Sequence, residues 1–268
     1  MTLRKTVAAT SLALLAVGAI GFALGSRTAV TPALAETATS FSADQRGDIE
    51  TIVREYLMAH PEVIRDAINE LQRKEDEAAK VAQSQAIEDL ADRIFASDKQ
   101  VVIGNPDGAV TLVEFFDYNC TYCRRAQADM VKLIKDDPSL RVVLKEFPVL
   151  GSGSVEAARV SIAVRMIAPE KFNEFHDALL AEPGKIDGAR ALAVAEDLGI
   201  DANALNASLD SDEVKDTIAE SYELADKLNL TGTPSYVTHN DVVIGAVGYD
   251  ALKAKIAEAR DSCKTATC

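Results

Sequence analysis

Val113-Glu114-Phe115-Phe116-Asp117-Tyr118-Asn119-Cys120-Thr121-Tyr122-Cys123-Arg124-Arg125 is the stretch that decides the fold. The apolar run Val110 to Phe116 in front of it reads as a buried strand. Behind it, Ala126, Met130, Val131, Leu133 and Ile134 recur at helical spacing. Cys120 therefore stands where a strand ends and a helix begins. The unpaired N–H groups of a first helical turn, with the helix dipole, stabilise a thiolate there. Thiolate is the form that attacks disulfides, and such surroundings lower cysteine pKa values to about 3.5–7.5. Cys123, one turn further on, is placed to close a disulfide with Cys120. The pair is also compatible with half of a zinc site, which needs two more ligands, or with an inert structural disulfide. The strand before it and the helix after it favour the redox reading.

Working outward, Leu112-Val113-Glu114-Phe115-Phe116, the pair Cys120 and Cys123, and the later Gly232-Thr233-Pro234-Ser235-Tyr236 together resemble the thioredoxin superfamily, in particular its DsbA-like branch. The resemblance implies an α/β protein: a thioredoxin fold over residues 100–262 with an all-helical insertion at about 154–229. It implies a thiol–disulfide oxidoreductase in which Cys120 attacks and Cys123 resolves. Glu114 is then the buried acid that serves as proton shuttle to Cys123. Pro234 is a cis-proline facing the cysteines, and the Thr233 backbone pairs with an extended client chain. Thr121 and Tyr122, between the cysteines, tune the thiolate and border the client. Strongly oxidising relatives have a histidine between the cysteines, and this chain does not. No cofactor and no metal are implied beyond the Cys120–Cys123 couple. From the residues alone, Glu114 is an acid in an apolar strand, costly unless paired or protonated, or else a solvated edge position. Pro234, likewise, reads equally well as an ordinary trans turn proline.

Residues 1–35 read as an export signal: Arg4 and Lys5, an uncharged run from Thr6 to Leu24, then Ala33-Leu34-Ala35. An uncleaved anchor is the alternative. Export predicts an oxidising compartment, the periplasm, where disulfides persist. The formal net charge is −14 and there is no Trp; with no basic patch, nucleic-acid binding is excluded.

Residues 44–96 are expected to form an N-terminal helical extension. Ile49, Ile52, Val53, Tyr56 and Leu57 make one helical face, His60-Pro61 interrupts it, and Val63, Ile64, Ala67, Ile68 and Leu71 make another. Gln72 to Gln85 is charged or small, with room for movement. Ile87, Leu90, Ala91, Ile94 and Phe95 resume the stripe in a new phase. These helices either pack on the catalytic domain or bury their faces against copies of themselves. Tyr56-Leu57, Pro61-Glu62-Val63-Ile64 and Ala67 to Leu71 resemble the extension of DsbA-like proteins named for suppression of copper sensitivity (ScsC). That resemblance implies a homo-oligomer, a trimer in preference, and a disulfide isomerase. It implies misfolded exported proteins with cysteines as clients and a membrane thiol–disulfide protein as redox partner. A DsbA-like dithiol oxidase and a thiolate-based copper- or zinc-handling protein are the alternatives.

After the redox helix, Arg141 to Phe147 reads as a strand. Pro169, Gly184, Gly188 and Gly199 punctuate the helical insertion, and Asp210 with Glu213 resembles a helix-opening pair. Ser235 to Thr238 and Val242 to Ala246 form a hairpin around His239-Asn240-Asp241, and Tyr249 to Arg260 a closing helix. His60, His176 and His239 share no spacing and are expected at the surface. Cys263 and Cys268 make a tail of residues 263–268, read as a small terminal disulfide. A second redox pair or a metal clip is the alternative there.

Overall fold

The computed structural model describes residues 41–263; the expected export signal and Cys268 lie outside the described residues. The chain divides into two units at Pro61.

The first unit contains α1 (Ala43–Ala59). Ser42 opens it with a capping box: its hydroxyl accepts the Gln45 N–H at 3.2 Å, and the Gln45 side chain accepts the Ser42 N–H at 2.9 Å. The helix ends at His60, ahead of Pro61, which disfavours helical geometry in the residue before it. None of its residues is buried, and Ile49, Ile52, Val53, Tyr56 and Met58 are exposed.

The second unit opens with α2 (Glu62–Asp89) and α3 (Ala91–Phe95). Then come β1 (Val101–Gly104), β2 (Val110–Phe116), α4 (Thr121–Asp136) and β3 (Leu140–Glu146). The helical insertion follows as α5 (Ser152–Ile167), a 3-10 turn at Pro169–Lys171, α6 (Phe172–Ala181), α7 (Gly188–Asp197), α8 (Ala202–Ser208) and α9 (Asp212–Lys227). β4 (Ser235–Val237), β5 (Val242–Ile244) and α10 (Tyr249–Ser262) complete it. The sheet runs β1-β3-β2-β4-β5; β2 is parallel to β3, and the other neighbours are antiparallel.

β2 lies at the centre, and all seven of its residues are buried. A strand covered on both faces has no polar alternation, which is why it reads as one apolar run. Its side chains alternate between two cores. Leu112 and Phe116 join Cys120, Cys123 and Tyr236 on one face. Val113 and Phe115 join Ile87, Ile94, Phe95 and Leu224 on the other.

That second core takes in the C-terminal part of the expected extension, through Ile87, Ile94 and Phe95. Gln72 to Gln85 is continuous helix within α2, with Arg73 paired to Glu70 and Glu77 along its surface. Residues from Gln83 onward are tied to the thioredoxin-like unit. Gln83 donates to the Leu228 carbonyl at 2.9 Å, and Arg93 makes a two-pronged contact with Glu223 at 2.9 and 2.7 Å. Lys145 donates to the Arg93 carbonyl at 2.8 Å, and Arg141 to the Phe95 carbonyl at 2.7 Å. These cations also meet the negative end of a helix. Ile94 is fully buried. Ile94→Ala should therefore destabilise the catalytic unit by about 2–5 kcal/mol in a denaturant melt, an effect no detachable extension would give. A change under ~0.5 kcal/mol would detach α3 from the core.

Two smaller expectations also change. Ser211, not Asp210, opens α9, its hydroxyl accepting the Val214 N–H at 3.4 Å. His176 is buried, not superficial. It lies in a polar cluster where its Nδ1 is 3.0 Å from the Tyr118 hydroxyl, itself 2.8 Å from Ser161 Oγ. Burial pushes the imidazole pKa down to about 3, so the ring is neutral at physiological pH.

Candidate active site

Cys120 is the N-cap of α4, as the strand-to-helix reading requires. Its sulfur accepts the Cys123 N–H at 3.4 Å and lies 3.1 Å from the Thr233 carbonyl oxygen, to which it donates only when protonated. Both cysteines are free and buried. The Cys123 thiol donates to the Cys120 sulfur, and the Thr233 side chain and the first N–H groups of α4 add to it. Together they bring the Cys120 pKa down to about 5 against the opposing effect of burial. The same contact, reinforced by burial and by Glu114, pushes Cys123 far upward. One sulfur is thus a thiolate at neutral pH and the other a thiol, the asymmetry an attacking and a resolving cysteine need.

Glu114 sits three residues before the turn, buried, paired in register with Leu144 on one side and Tyr236 on the other. It is no solvated edge residue. Desolvation raises its carboxyl to about 8, and the Cys120 charge adds to this. The Tyr236 phenol approaches and partly offsets the rise, without a well-aligned hydrogen bond. An acid with a pKa near neutrality is matched to taking and returning a proton.

The Thr233–Pro234 bond is cis, and Pro234 is buried. Thr121 and Tyr122 are exposed on the first turn of α4, and the Arg125 guanidinium lies 4.6 Å over the Tyr122 ring. The structure therefore gathers Cys120, Cys123, Glu114, Thr121, Tyr122, Thr233 and Pro234 around one strand-to-helix turn. Cys263, which caps α10, is disulfide-bonded, and neither Cys120 nor Cys123 is its partner, since both are free. Among the described residues no cluster of three or more His, Cys, Asp or Glu side chains is arranged to hold a metal ion.

Sequence reasoning passed over Asp117. Its buried carboxylate accepts the Asn119 N–H at 2.8 Å and the Leu150 N–H at 3.0 Å, which shapes the redox turn and holds the loop after β3 beside it. An acid directly after an apolar run and before a turn is the signal that marked it. Glu146 was missed too. It faces Phe116 in register, is buried, and has its pKa pushed well above the carboxylate range by desolvation.

Glu114→Gln tests the acid. Resolution by Cys123 at neutral pH should slow on the order of 10²-fold, with less change in the acidity of Cys120. A carboxyl raised from 4.5 to about 8 in the folded state favours folding fully below pH 4.5; that contribution is lost as pH rises through 8. Glutamine cannot ionise, so the variant should lack this decline in stability. Unchanged resolution kinetics would make Glu114 a structural residue only.

Comparison with known proteins agrees with this geometry. Residues 111–257 match the DSBA-like thioredoxin domain, and residues 45–78 match the copper resistance protein ScsC N-terminal domain. A thioredoxin-like oxidoreductase from Silicibacter pomeroyi DSS-3 is 41% identical, with a TM-score of 0.62 over 64% of this chain and 98% of its own. A Proteus mirabilis ScsC variant with a linker deletion is 27% identical, with a TM-score of 0.64 over 84% of this chain and 99% of its own. Disulfide bond formation protein D of Bacillus subtilis is 27% identical over 171 residues, 59% of this chain and 75% of that protein. The chain spans 25% of the length of the Na(+)/H(+) antiporters of Salinispora that it also matches, at 28% identity over 162 residues. More than half of the sequence, its fold and its cysteine turn point the same way, and the chain belongs to the DsbA-like thioredoxin domain family, with a segment of ScsC N-terminal type ahead of that domain.

Proposed function

We propose that this protein is a periplasmic thiol–disulfide oxidoreductase that acts on protein disulfides, and that it works as a disulfide isomerase in an oligomer. The observation that carries the exchange reading is the pair of free sulfurs at the α4 N-terminus, with Cys120 as the N-cap accepting the Cys123 N–H at 3.4 Å, an arrangement that lowers the Cys120 pKa and raises that of Cys123. The Cys120 thiolate attacks one sulfur of a client disulfide. The client S–S bond breaks, a mixed disulfide forms, and the other client sulfur leaves as a thiolate that takes up a proton. In isomerisation that client thiol attacks elsewhere in its own chain, a client thiolate finally displaces Cys120, and no net oxidation results. In the escape route Cys120 carries no charge in the mixed disulfide, which eases ionisation of Glu114; Cys123 gives its proton to Glu114 in that ionised form and attacks the Cys120 sulfur. The client then leaves reduced by two electrons and Cys120–Cys123 is oxidised. No cofactor enters either route.

Isomerisation in an oligomer is supported by α1, whose Ile52 and Tyr56 are 65% and 54% exposed at helical spacing, and by Val63, Ile64, Ile68 and Leu71 on α2. Exposed apolar residues on one helix face mark an association surface, and covering these faces with copies of the chain would set several Cys120 sites around one client. The fitting redox partner is a membrane thiol–disulfide protein that keeps the pair reduced. The dithiol-oxidase reading keeps the same sulfurs and is favoured by the likeness to disulfide bond formation protein D. Reactivation of a scrambled-disulfide client in glutathione buffer separates the two. An isomerase restores native pairing, whereas a protein that only oxidises dithiols leaves the scrambled client scrambled. The thiolate metal-handling reading predicts tight metal retention that alkylation of Cys120 abolishes.

A further inference from the structure

Asn119 and Arg124 flank the cysteine pair and take no part in the electron transfer. Both side chains reach instead into the helical insertion. The Asn119 amide grips one residue on both sides of its backbone: Oδ1 accepts the Ile186 N–H at 2.7 Å, and Nδ2 donates to the Ile186 carbonyl at 2.8 Å. Nδ2 also donates to Ser154 Oγ, in the first turn of α5, at 3.0 Å. Arg124 donates through Nε to the Tyr118 carbonyl at 3.1 Å, through Nη1 to the Glu182 carbonyl at 2.8 Å, and through Nη2 to the Gly184 carbonyl at 2.9 Å.

The α6–α7 loop is thus held from the redox turn at three of its residues, Glu182, Gly184 and Ile186. Ile186 is completely buried, and a Cβ added at Gly153 would come within 2.7 Å of its carbonyl oxygen. The anchor is rigid for that reason. Pro183, Gly184 and Lys185, between Glu182 and Ile186, are exposed. A solvent-facing crest of the insertion is therefore fixed beside the start of α4, where Cys120 sits.

We propose that Asn119 and Arg124 are positioning residues for client recognition: they lock the Pro183–Lys185 crest beside Cys120 as one wall of the site that receives an extended protein chain. The inference rests on the exchange reading above. Thr233 borders Cys120 through its carbonyl, and the crest supplies a second border. A small disulfide needs only access to the sulfur. A peptide disulfide also needs the wall, because its flanking residues must lie against something fixed to align the S–S bond. Loss of the clamp should therefore penalise large substrates selectively.

Arg124→Lys is the sharper variant, because one ammonium cannot serve carbonyls of three residues as a planar guanidinium does. Asn119→Ser shortens the other arm. Both are compared with the parent in the full chain, using reduced protein against a peptide with one internal disulfide and against oxidised glutathione. Each variant should lower the ratio of peptide rate to glutathione rate by about tenfold, chiefly through a higher half-saturating peptide concentration. The pH midpoint of Cys120 alkylation should stay where it is in the parent. The double variant should lose little more than either single one, since both arms hold one loop. Proportional slowing on both substrates, or an unchanged ratio, overturns the inference. Should Asn119→Ser fail to fold, the Arg124→Lys ratio decides alone. A parent protein that exchanges with neither substrate refutes the exchange reading itself, which is a different outcome.

Discussion

Cys120→Ser should abolish disulfide exchange outright, while Cys123→Ser should turn the protein into a trap that keeps its client as a mixed disulfide. The two sulfurs are three residues apart but differ in charge state because one helix start treats them differently. Cys120, at the cap, receives the Cys123 N–H and the Cys123 thiol, and serine at that place offers a hydroxyl that does not ionise at neutral pH. Cys123 lies a turn inside, protonated, next to Glu114, and is required only after attack has occurred. In Cys123→Ser one donor to the Cys120 sulfur changes from thiol to hydroxyl, so the thiolate persists and attack continues. Release then depends on the client's own thiols. Electrophoresis without reductant, on lysates of exporting cells, should show high-mass adducts for Cys123→Ser and none for Cys120→Ser. Adducts that form on Cys123 in the Cys120→Ser protein would reverse the assignment.

Removing the exposed apolar faces at the N-terminus should separate isomerase from oxidase activity. The cut belongs before Gln83, not at the end of α3, because Ile87, Ile94 and Phe95 are core residues of the catalytic unit and their loss would unfold what is to be tested. A chain beginning at Gln83 keeps the Leu228 contact and discards α1 with the exposed part of α2. It should sediment as a monomer, oxidise dithiols as the parent does, and lose scrambled-disulfide reactivation by at least about tenfold, because neighbouring Cys120 sites no longer share a client. Ile52→Glu with Val53→Glu in the full chain tests the same point without truncation. A parent chain that sediments as a monomer, or a truncated one that isomerises equally well, would leave a plain dithiol oxidase.

The parts of this fold that were legible in the sequence are those whose signals are local. β2 announced itself because a central strand buried on both faces is apolar throughout, and its bounds, Val110 and Phe116, are those read from the sequence. The His60-Pro61 break and the Cys120 helix start are likewise local backbone chemistry. Glu114 was legible because an acid in such a strand has to be accounted for. Long-range partners were not legible. Asn119 looks like any turn residue until Ile186, far along the chain, is brought against it. Arg93 and Lys145 look like surface cations, yet the Lys145 ammonium is almost wholly buried on the Arg93 carbonyl and Glu220, and burial lowers its pKa to about 8. A lone histidine carries no spacing signal, so the burial of His176 waited on the packing of α6. The charged stretch in α2 has no apolar stripe to mark it as helix; its one helical signal is the i,i+4 spacing that pairs Arg73 with Glu77.

The central claim is that Cys120 is the ionised, attacking sulfur. It is tested most directly by alkylating the reduced protein with iodoacetamide from pH 3 to pH 9 and mapping the label by peptide mass. The account predicts label on Cys120 alone, with a rate midpoint near pH 5. A midpoint near the ordinary thiol value of about 8.5, or label arriving first on Cys123, would contradict it.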